Sequence, residues 1–330
     1  MDPFLKKVHD RPIDGKYTLV RQIGVGGFGA VFLGRDLSLN QEVALKLEHH
    51  SIDPSLLEGE ASRYESFQGE KGFPRLYWFG WHDDFRVMAF ELLGPSLADV
   101  FCYCERRLTL KTILMITDQL LVRLETLHAK GFVHRDIKPR NFLLGTGIHS
   151  NDIYMTDFGL VDNYMARHYD PGIESEAEIS RWEHLVGTAG FASIRAHRGI
   201  VQFPGDDLES LGYMLIYFLH GKLPWHGQAA ERGKKSNQEV MEMKMQMTPE
   251  QLCFGLPEEF CQYMQLVKTL ERGEMPSYRK IRASFQNLAA REGLPYDHVY
   301  DWTIRNYLET EDEKRPIPGH VATVPTLDQD

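Results

Sequence analysis

The chain has 330 residues, 42% of them hydrophobic and 25% charged, with a formal net charge of −10. That length supplies one sizeable core or two packed lobes, not several independent domains. The acidic surplus argues against a nucleic-acid groove, which needs clustered cations to neutralise phosphates.

The first thirty residues carry charges at Asp2, Lys6, Lys7, Asp10, Arg11, Asp14, Lys16 and Arg21, so no uninterrupted apolar segment offers a signal peptide. Four cysteines, Cys102, Cys104, Cys253 and Cys261, form neither a C-x-x-C pair nor a regular disulfide framework. They read as buried thiols in a reducing compartment, and the expected location is cytoplasm or nucleus. The apolar run 211–219 is about half the length a bilayer demands and reads as a buried helix, so no membrane association is expected.

Residues 1–16 read as an N-terminal extension. From 17 to 93, short strand-like runs alternate with turns: YTLVRQI, AVFLGRD, EVALKLE, PRLYWFG and FRVMAFELL. Residues 55–67 interrupt them, because Leu56, Leu57, Glu60, Ala61 and Tyr64 recur at helical spacing. Beyond Gly94-Pro95 the pattern turns helical, with stretches at 110–130, 207–220 and 257–271. Strands followed by helices predict an α+β fold of two unlike lobes, joined through residues 91–95, with a ligand cleft between them. The last segment, 310–330, is rich in charge and proline without periodicity and reads as a flexible tail.

Gly24-x-Gly26-x-x-Gly29-x-Val31 lies between two strand-like runs, where glycines let backbone amides approach phosphates. With 28 glycines in the chain, chance alone supplies about 0.2 such glycine triplets, so a plain flexible hairpin competes with this reading. A dinucleotide loop does not, because strand rather than helix follows. Seventeen residues beyond the last glycine, the strand Val43-Ala44-Leu45-Lys46 delivers one ammonium to a buried place. Such a charge needs partners; phosphates are one, and Glu60 on the intervening helix fits the register better than Glu58.

The most specific segment is Val133-His-Arg-Asp-Ile-Lys-Pro-Arg-Asn141. Asp136 can accept a proton from a substrate hydroxyl, Lys138 can neutralise a transferring phosphoryl group, and Asn141 can ligate a divalent cation. His134 reads as a core histidine without chemistry. Sixteen residues after Asn141, Asp157-Phe158-Gly159 follows a strand-like run and offers a second carboxylate to Mg2+.

At this point the chain resembles the eukaryotic protein kinases over residues 17–308, and within them the casein kinase I family. The likeness rests on VALKLE (43–48), ELLGPSL (91–97), HRDIKPRNFLLG (134–145), DFGL (157–160), GTAGFASIRAHRGI (187–200), DDLESLGYMLIYFLHGKLPWHG (206–227) and YDHVYDW (296–302). The resemblance implies a two-lobed kinase domain over 17–309, divided into 17–92 and 93–309. It also implies transfer of the ATP γ-phosphate to serine or threonine of protein substrates, with Mg2+, by a monomer. By the same resemblance Glu91 and Leu93 present hinge backbone groups to adenine, Ser96 and Asp99 lie near the ribose, and Phe90 sits behind the adenine. Asp207 braces the catalytic loop.

Two departures stand out. Where family members carry an arginine directly after G-T-A, this chain has Gly190, which implies a weakened preference for phosphate-primed substrates; Lys234, Lys235 and Arg195 are candidate substitutes. The activation segment is long and carries Glu174, Glu176, Glu178 and Glu183, one of which could pair with Arg135. The rival reading is a pseudokinase scaffold that binds nucleotide or partners without turnover, but it is expected to lose the lysine or one of the two aspartates, and all three persist. Lys138 and Thr188 match the serine/threonine rather than the tyrosine pattern.

Overall fold

Period-two alternation in the first third of the chain builds strands. The computed structural model describes them as part of residues 11–26, 29–165, 185–226, 236–271 and 273–314. Strands β1 (Tyr17–Gly26), β2 (Gly29–Asp36), β3 (Gln41–His49), β4 (Leu76–His82) and β5 (Phe85–Glu91) form one antiparallel sheet in the order β1-β2-β3-β5-β4. On β3, Val43, Leu45 and Leu47 join Tyr17, Phe32, Val87 and Ala89 in one core. Successive side chains on a strand point to opposite faces, so Lys46 and Glu48 project to the other side. Helix α1 (Leu56–Ser66) lies there.

Glu48 fixes that helix. Only 1% exposed, it accepts the Leu56 and Leu57 amides at 3.0 Å each, while Ser55 Oγ accepts the Glu58 amide at 3.1 Å. A carboxylate and a hydroxyl thus satisfy donors that the first helical turn leaves open, at its positive end. The helix then buries Leu57, Glu60, Ala61 and Tyr64, the face read from the sequence.

Beyond the sheet the chain is helical: α2 (Leu97–Tyr103), α3 (Leu110–Ala129), α4 (Ile194–His197), α5 (Pro204–His220), α6 (Asn237–Gln246), α7 (Pro249–Leu252), α8 (Glu258–Thr269), α9 (Tyr278–Arg291) and α10 (Asp301–Lys314). Two small ribbons interrupt these helices, β6 (Phe132–Val133) with β9 (Asp162–Asn163), and β7 (Phe142–Leu144) with β8 (Ile153–Met155). They hold residues 134–141 and 156–161 side by side. The architecture is the expected α+β pair of unlike lobes. Phe158, fully buried, packs on Tyr64 at 4.7 Å and Phe67 at 5.3 Å between ring centroids, and so ties α1 to the helical lobe.

Several expectations change in detail. Helix α5 starts three residues earlier than read, because Pro204 tolerates the first helical position and Asp206 accepts the Phe203 amide at 2.8 Å. The apolar run 211–219 lies within it, and among the described residues no helix is long and apolar enough to cross a membrane. Helix α10 carries order through Lys314, past the point where the tail was placed. Arg305 supports it, donating to Glu309 at 2.8 Å one turn away and to Glu105 at 3.0 Å. The four cysteines are free; Cys104 is buried but Cys102 is exposed, since two residues along α2 turn to opposite faces.

Candidate active site

Lys46 and Glu60 meet because β3 and α1 are locked together by Glu48. Lys46 Nζ lies 2.6 Å from Glu60 Oε2 and 3.9 Å from Asp157 Oδ1, with the lysine side chain 7% exposed. Burial opposes the ammonium, but Glu60 and then Asp157 outweigh it and hold Lys46 above its ordinary value. Asp157 reaches this position from a left-handed backbone (φ 64°, ψ 68°) with its carboxylate open to the cleft.

The loop 134–141 is organised from below. Asp207 Oδ2 accepts the His134 amide at 2.7 Å and Oδ1 the Arg135 amide at 2.9 Å, and His128 Nε2 donates to Oδ2 at 2.8 Å. Burial alone would raise the Asp207 carboxyl; the bond and charge of His128 reverse that and hold it below the usual carboxylate range. His134 Nε2 donates to Thr156 O at 3.1 Å, leaving Nδ1 to accept the Asp136 amide at 3.3 Å, so this histidine spends both nitrogens on backbone.

Above that scaffold, three groups converge on Asp136. Its Oδ1 accepts Thr188 Oγ1 at 2.8 Å; its Oδ2 accepts Lys138 Nζ at 2.5 Å and Asn141 Nδ2 at 3.2 Å. Asn141 Nδ2 also donates to the Asp136 carbonyl at 2.8 Å. The amide nitrogen being committed, the Asn141 carbonyl oxygen is the atom left for a cation, and Asp157 lines the same cleft. Two hard oxygen donors at one wall suit Mg2+, which keeps several of its waters and takes one or two protein ligands.

The cleft between the lobes encloses about 610 Å3. Gly24, Val31 and Ala44 form its roof, Leu143 its floor, and Phe90 and Tyr64 its back, while Lys46, Glu60, Asn141 and Asp157 occupy one end. Glu91, Leu93, Ser96 and Asp99 line the opposite, hinge side. Leu93 enters none of the backbone hydrogen bonds among the described residues, whereas Glu91 donates its amide to Arg75 O at 2.8 Å. Ser96 and Asp99 cap α2 reciprocally, Asp99 Oδ2 accepting the Ser96 amide at 2.9 Å and hydroxyl at 2.6 Å.

The glycine reading separates by position. Gly29 (φ 139°) lies so close to β3 that a Cβ would sit 2.5 Å from Leu47 O, whereas a Cβ at Gly24 would meet only Val31 Cβ at 3.7 Å. Gly26 pairs with Gly29 across the hairpin. Gly29, Asp136 and Lys138 fall outside the lining of the cleft itself. Arg135 donates to Leu160 O at 2.6 Å and lies 3.2 Å from Asp162; Glu174, Glu176, Glu178 and Glu183 lie outside the described residues, as do Lys234 and Lys235. Arg195, the remaining candidate substitute at the priming site, donates to Leu270 O at 3.1 Å.

Sequence reasoning passed over two residues, Leu143 and Glu48, and over the contact with Asp136 made by Thr188, which was read only as matching the serine/threonine pattern. Leu143, two beyond Asn141, carried a usable signal as an apolar residue next to the metal-ligand candidate. Thr188 as the partner of Asp136, and Glu48 as the cap of α1, carried none, since each meets its partner only in the folded chain.

A nucleotide-sized cleft, a lysine–glutamate pair from a small sheet lobe, and an Asp/Lys/Asn loop beside a second aspartate define the class of two-lobed phosphotransfer domains. Residues 17–290 match the family model of the protein kinase domain. The chain belongs to the protein kinase family.

Proposed function

We propose that this protein is a serine/threonine kinase of casein kinase I type, acting on protein hydroxyls with ATP and Mg2+. The observation that carries the reading is the convergence of Lys46 from one lobe with Asn141 and Asp157 from the other on a single cleft, with Asp136 bonded to Asn141 just outside its lining. In this reading Leu93 and Glu91 meet the adenine edge, Ser96 and Asp99 the ribose, and the loop of Gly24, Gly26 and Gly29 covers the phosphates. Asn141 and Asp157 are the oxygen ligands offered to Mg2+, which when bound neutralises phosphate charge. Asp136 accepts the proton of the acceptor hydroxyl as its oxygen bonds to the γ-phosphorus and the bond to the β-phosphate oxygen breaks, releasing ADP. Lys138, bonded to Asp136, stands where charge on the transferred group develops.

Serine/threonine specificity is supported by Thr188 on Asp136 and by Lys138 two residues from it. The casein kinase I type is supported by Ser193-Ile194-Arg195, where Ser193 caps α4 by accepting the Ala196 amide at 3.0 Å and donates to Asp206 at 2.8 Å. At Gly190 a Cβ would lie 2.6 Å from His226 Nε2, so the imidazole occupies the space a larger side chain would need. Burial holds His226 down to about 4, uncharged at neutral pH. The enzyme is accordingly expected to lack a strong demand for phosphorylated substrates.

One experiment tests the reading: 32P transfer from Mg·ATP to casein and to two peptides differing only in a phosphoserine three residues before the acceptor. Wild type transfers phosphate to serine and threonine, uses both peptides comparably, and loses activity on Asp157→Ala by about a thousand-fold or more. Full activity of Asp157→Ala, or no transfer by wild type, would contradict the kinase; an overriding preference for the phosphopeptide would contradict the account of Gly190.

A further inference from the structure

Residues 187–192 form a turn pressed against the loop that carries Asp136. A Cβ at Gly187 (φ 95°) would lie 2.4 Å from Arg135 O, and Thr188 Oγ1 donates to Asp136 Oδ1 at 2.8 Å. The Phe191 and Ala192 amides both close back on Thr188 O at 2.9 Å, so the turn consumes one carbonyl internally. Its other carbonyls need donors from elsewhere.

Three side chains bring nitrogens to them: His197, whose Nε2 lies 3.1 Å from Ala189 O, and two that are more distant in sequence. Lys244 Nζ donates to Ala189 O at 2.8 Å and to Ala192 O at 2.6 Å, and Trp225 Nε1 donates to Gly190 O at 2.7 Å. His197 Nε2 lies 3.2 Å from Lys244 Nζ and 3.1 Å from Ala189 O, so this imidazole, pushed down to about 4 by burial and then by Lys244, either accepts from the lysine or donates to the carbonyl beside it. Lys244 is 1% exposed, and its ammonium stands over the rings of Tyr213 and Trp225, 4.7 and 5.1 Å from their centroids. Among the described residues no carboxylate lies within ion-pair distance of it. Glu209, an acid whose field reaches it, is committed to the Tyr213 hydroxyl at 2.6 Å and the Ile194 amide at 3.2 Å.

Burying a cation without a counter-charge is costly, and an apolar side chain of similar length would fill the space without that cost. What such a side chain could not do is hold two carbonyls of one turn at once. We propose that Lys244 is a positioning residue for phosphotransfer: from α6 it pins the 187–192 turn, so that Thr188 holds Asp136 and the acceptor peptide meets a preformed surface. This assignment rests on the kinase reading and adds to it a residue that touches neither nucleotide nor acceptor.

The test compares full-length wild type, Lys244→Met and Trp225→Phe. Initial rates are measured with peptide and ATP varied separately, alongside amide hydrogen exchange of the segment around residues 187–192. In Lys244→Met, kcat/KM for the peptide falls about ten-fold or more while KM for ATP stays within about two-fold. Exchange in the turn accelerates, and exchange in α1 does not. Trp225→Phe, which removes the bond to Gly190 O and leaves a smaller ring beneath the ammonium, moves the same readouts in the same direction by about two- to five-fold and decides the matter if the lysine variant does not fold. A folded Lys244→Met with wild-type peptide kinetics and unchanged exchange overturns the proposal, as does equal loss toward peptide and ATP. The same null result in Trp225→Phe overturns it when only that variant is soluble. A wild type without any phosphotransfer overturns the kinase reading and this role with it; an active wild type with an indifferent Lys244→Met overturns this role alone.

Discussion

Lys46 and Lys244 are both withdrawn from water, one at the end of the cleft and one beneath the 187–192 turn, and their surroundings drive them in opposite directions. Lys46 faces a carboxylate at 2.6 Å and another at 3.9 Å, and holds its proton more tightly than an ordinary lysine. Lys244 faces carbonyl oxygens, an uncharged imidazole and ring faces, and burial lowers it to about 7. Dipoles and rings satisfy the hydrogen bonds of an ammonium without repaying the desolvation of its charge; carboxylates do both. The first arrangement suits a charge that must be present whenever phosphate is bound, the second a fastening for backbone.

The sharpest way to break that contrast is to remove each ammonium. Lys46→Met is expected to reduce phosphotransfer by about a hundred- to a thousand-fold, since it deletes a charge aimed at the phosphates themselves, measured as kcat/KM at saturating Mg2+. A loss no larger than that of Lys244→Met would erase the distinction between a group that acts on substrate and one that acts through the backbone. Next in size is Glu60→Ala. It leaves Lys46 buried beside only the more distant Asp157, and the expected cost is about 3 kcal/mol in urea unfolding. A cost below about 0.5 kcal/mol would mean that the pair is as weak as a surface ion pair and does not lock α1 over the cleft.

The two lysines also mark where the sequence could be read and where it could not. Lys46 was legible because a strand of period two ending in one cation, a helix with Glu60 on its inner face, and the H-R-D and D-F-G segments stand in a fixed order. Asp136, Lys138 and Asn141 were legible for a stronger reason: they share one loop, so their spacing along the chain nearly fixes their spacing in space. The hydrogen-bond partners of Lys244 lie 47 to 55 positions away. Its helix is polar on most positions, and a lysine there reads as solvent-facing until the fold closes over it. Helix α9 was open to reading, with Tyr278, Ile281, Phe285 and Leu288 at helical spacing. The extension of α10 past Thr310 was not, because its support comes from Arg305 bonded to Glu105, far back in the chain.

The smallest expected effect isolates the cause of the contrast. For Lys244 the folded value of about 7 lies below the ordinary lysine value of 10.5, so between these limits the unfolded chain binds a proton that the folded one does not. Stability contributed by this site therefore rises with pH across that window. The groups facing it do not blur the reading: His197 on α4 and His226 beyond α5 are both pushed down to about 4 and carry no charge there, and Tyr213 is raised well above its ordinary 10.0. Asp206, raised to about 7 by burial, titrates at the acid edge of the window, but it is present in both wild type and Lys244→Met and largely cancels in their difference. Cys104 and Cys253, lifted to about 11 and about 12 from 9.0, titrate at its alkaline end. From about pH 7 to 8.5, wild type should gain about 1–2 kcal/mol of unfolding free energy relative to Lys244→Met. The same difference against a Lys46→Met/Glu60→Gln double variant, which leaves no unpaired buried carboxylate at that pair, should stay flat, because a lysine whose folded value lies above 10.5 keeps its proton in both states over that range. Parallel curves for both pairs would show that carbonyls and rings stabilise the ammonium as well as carboxylates do, and the physical distinction between the two sites would fall.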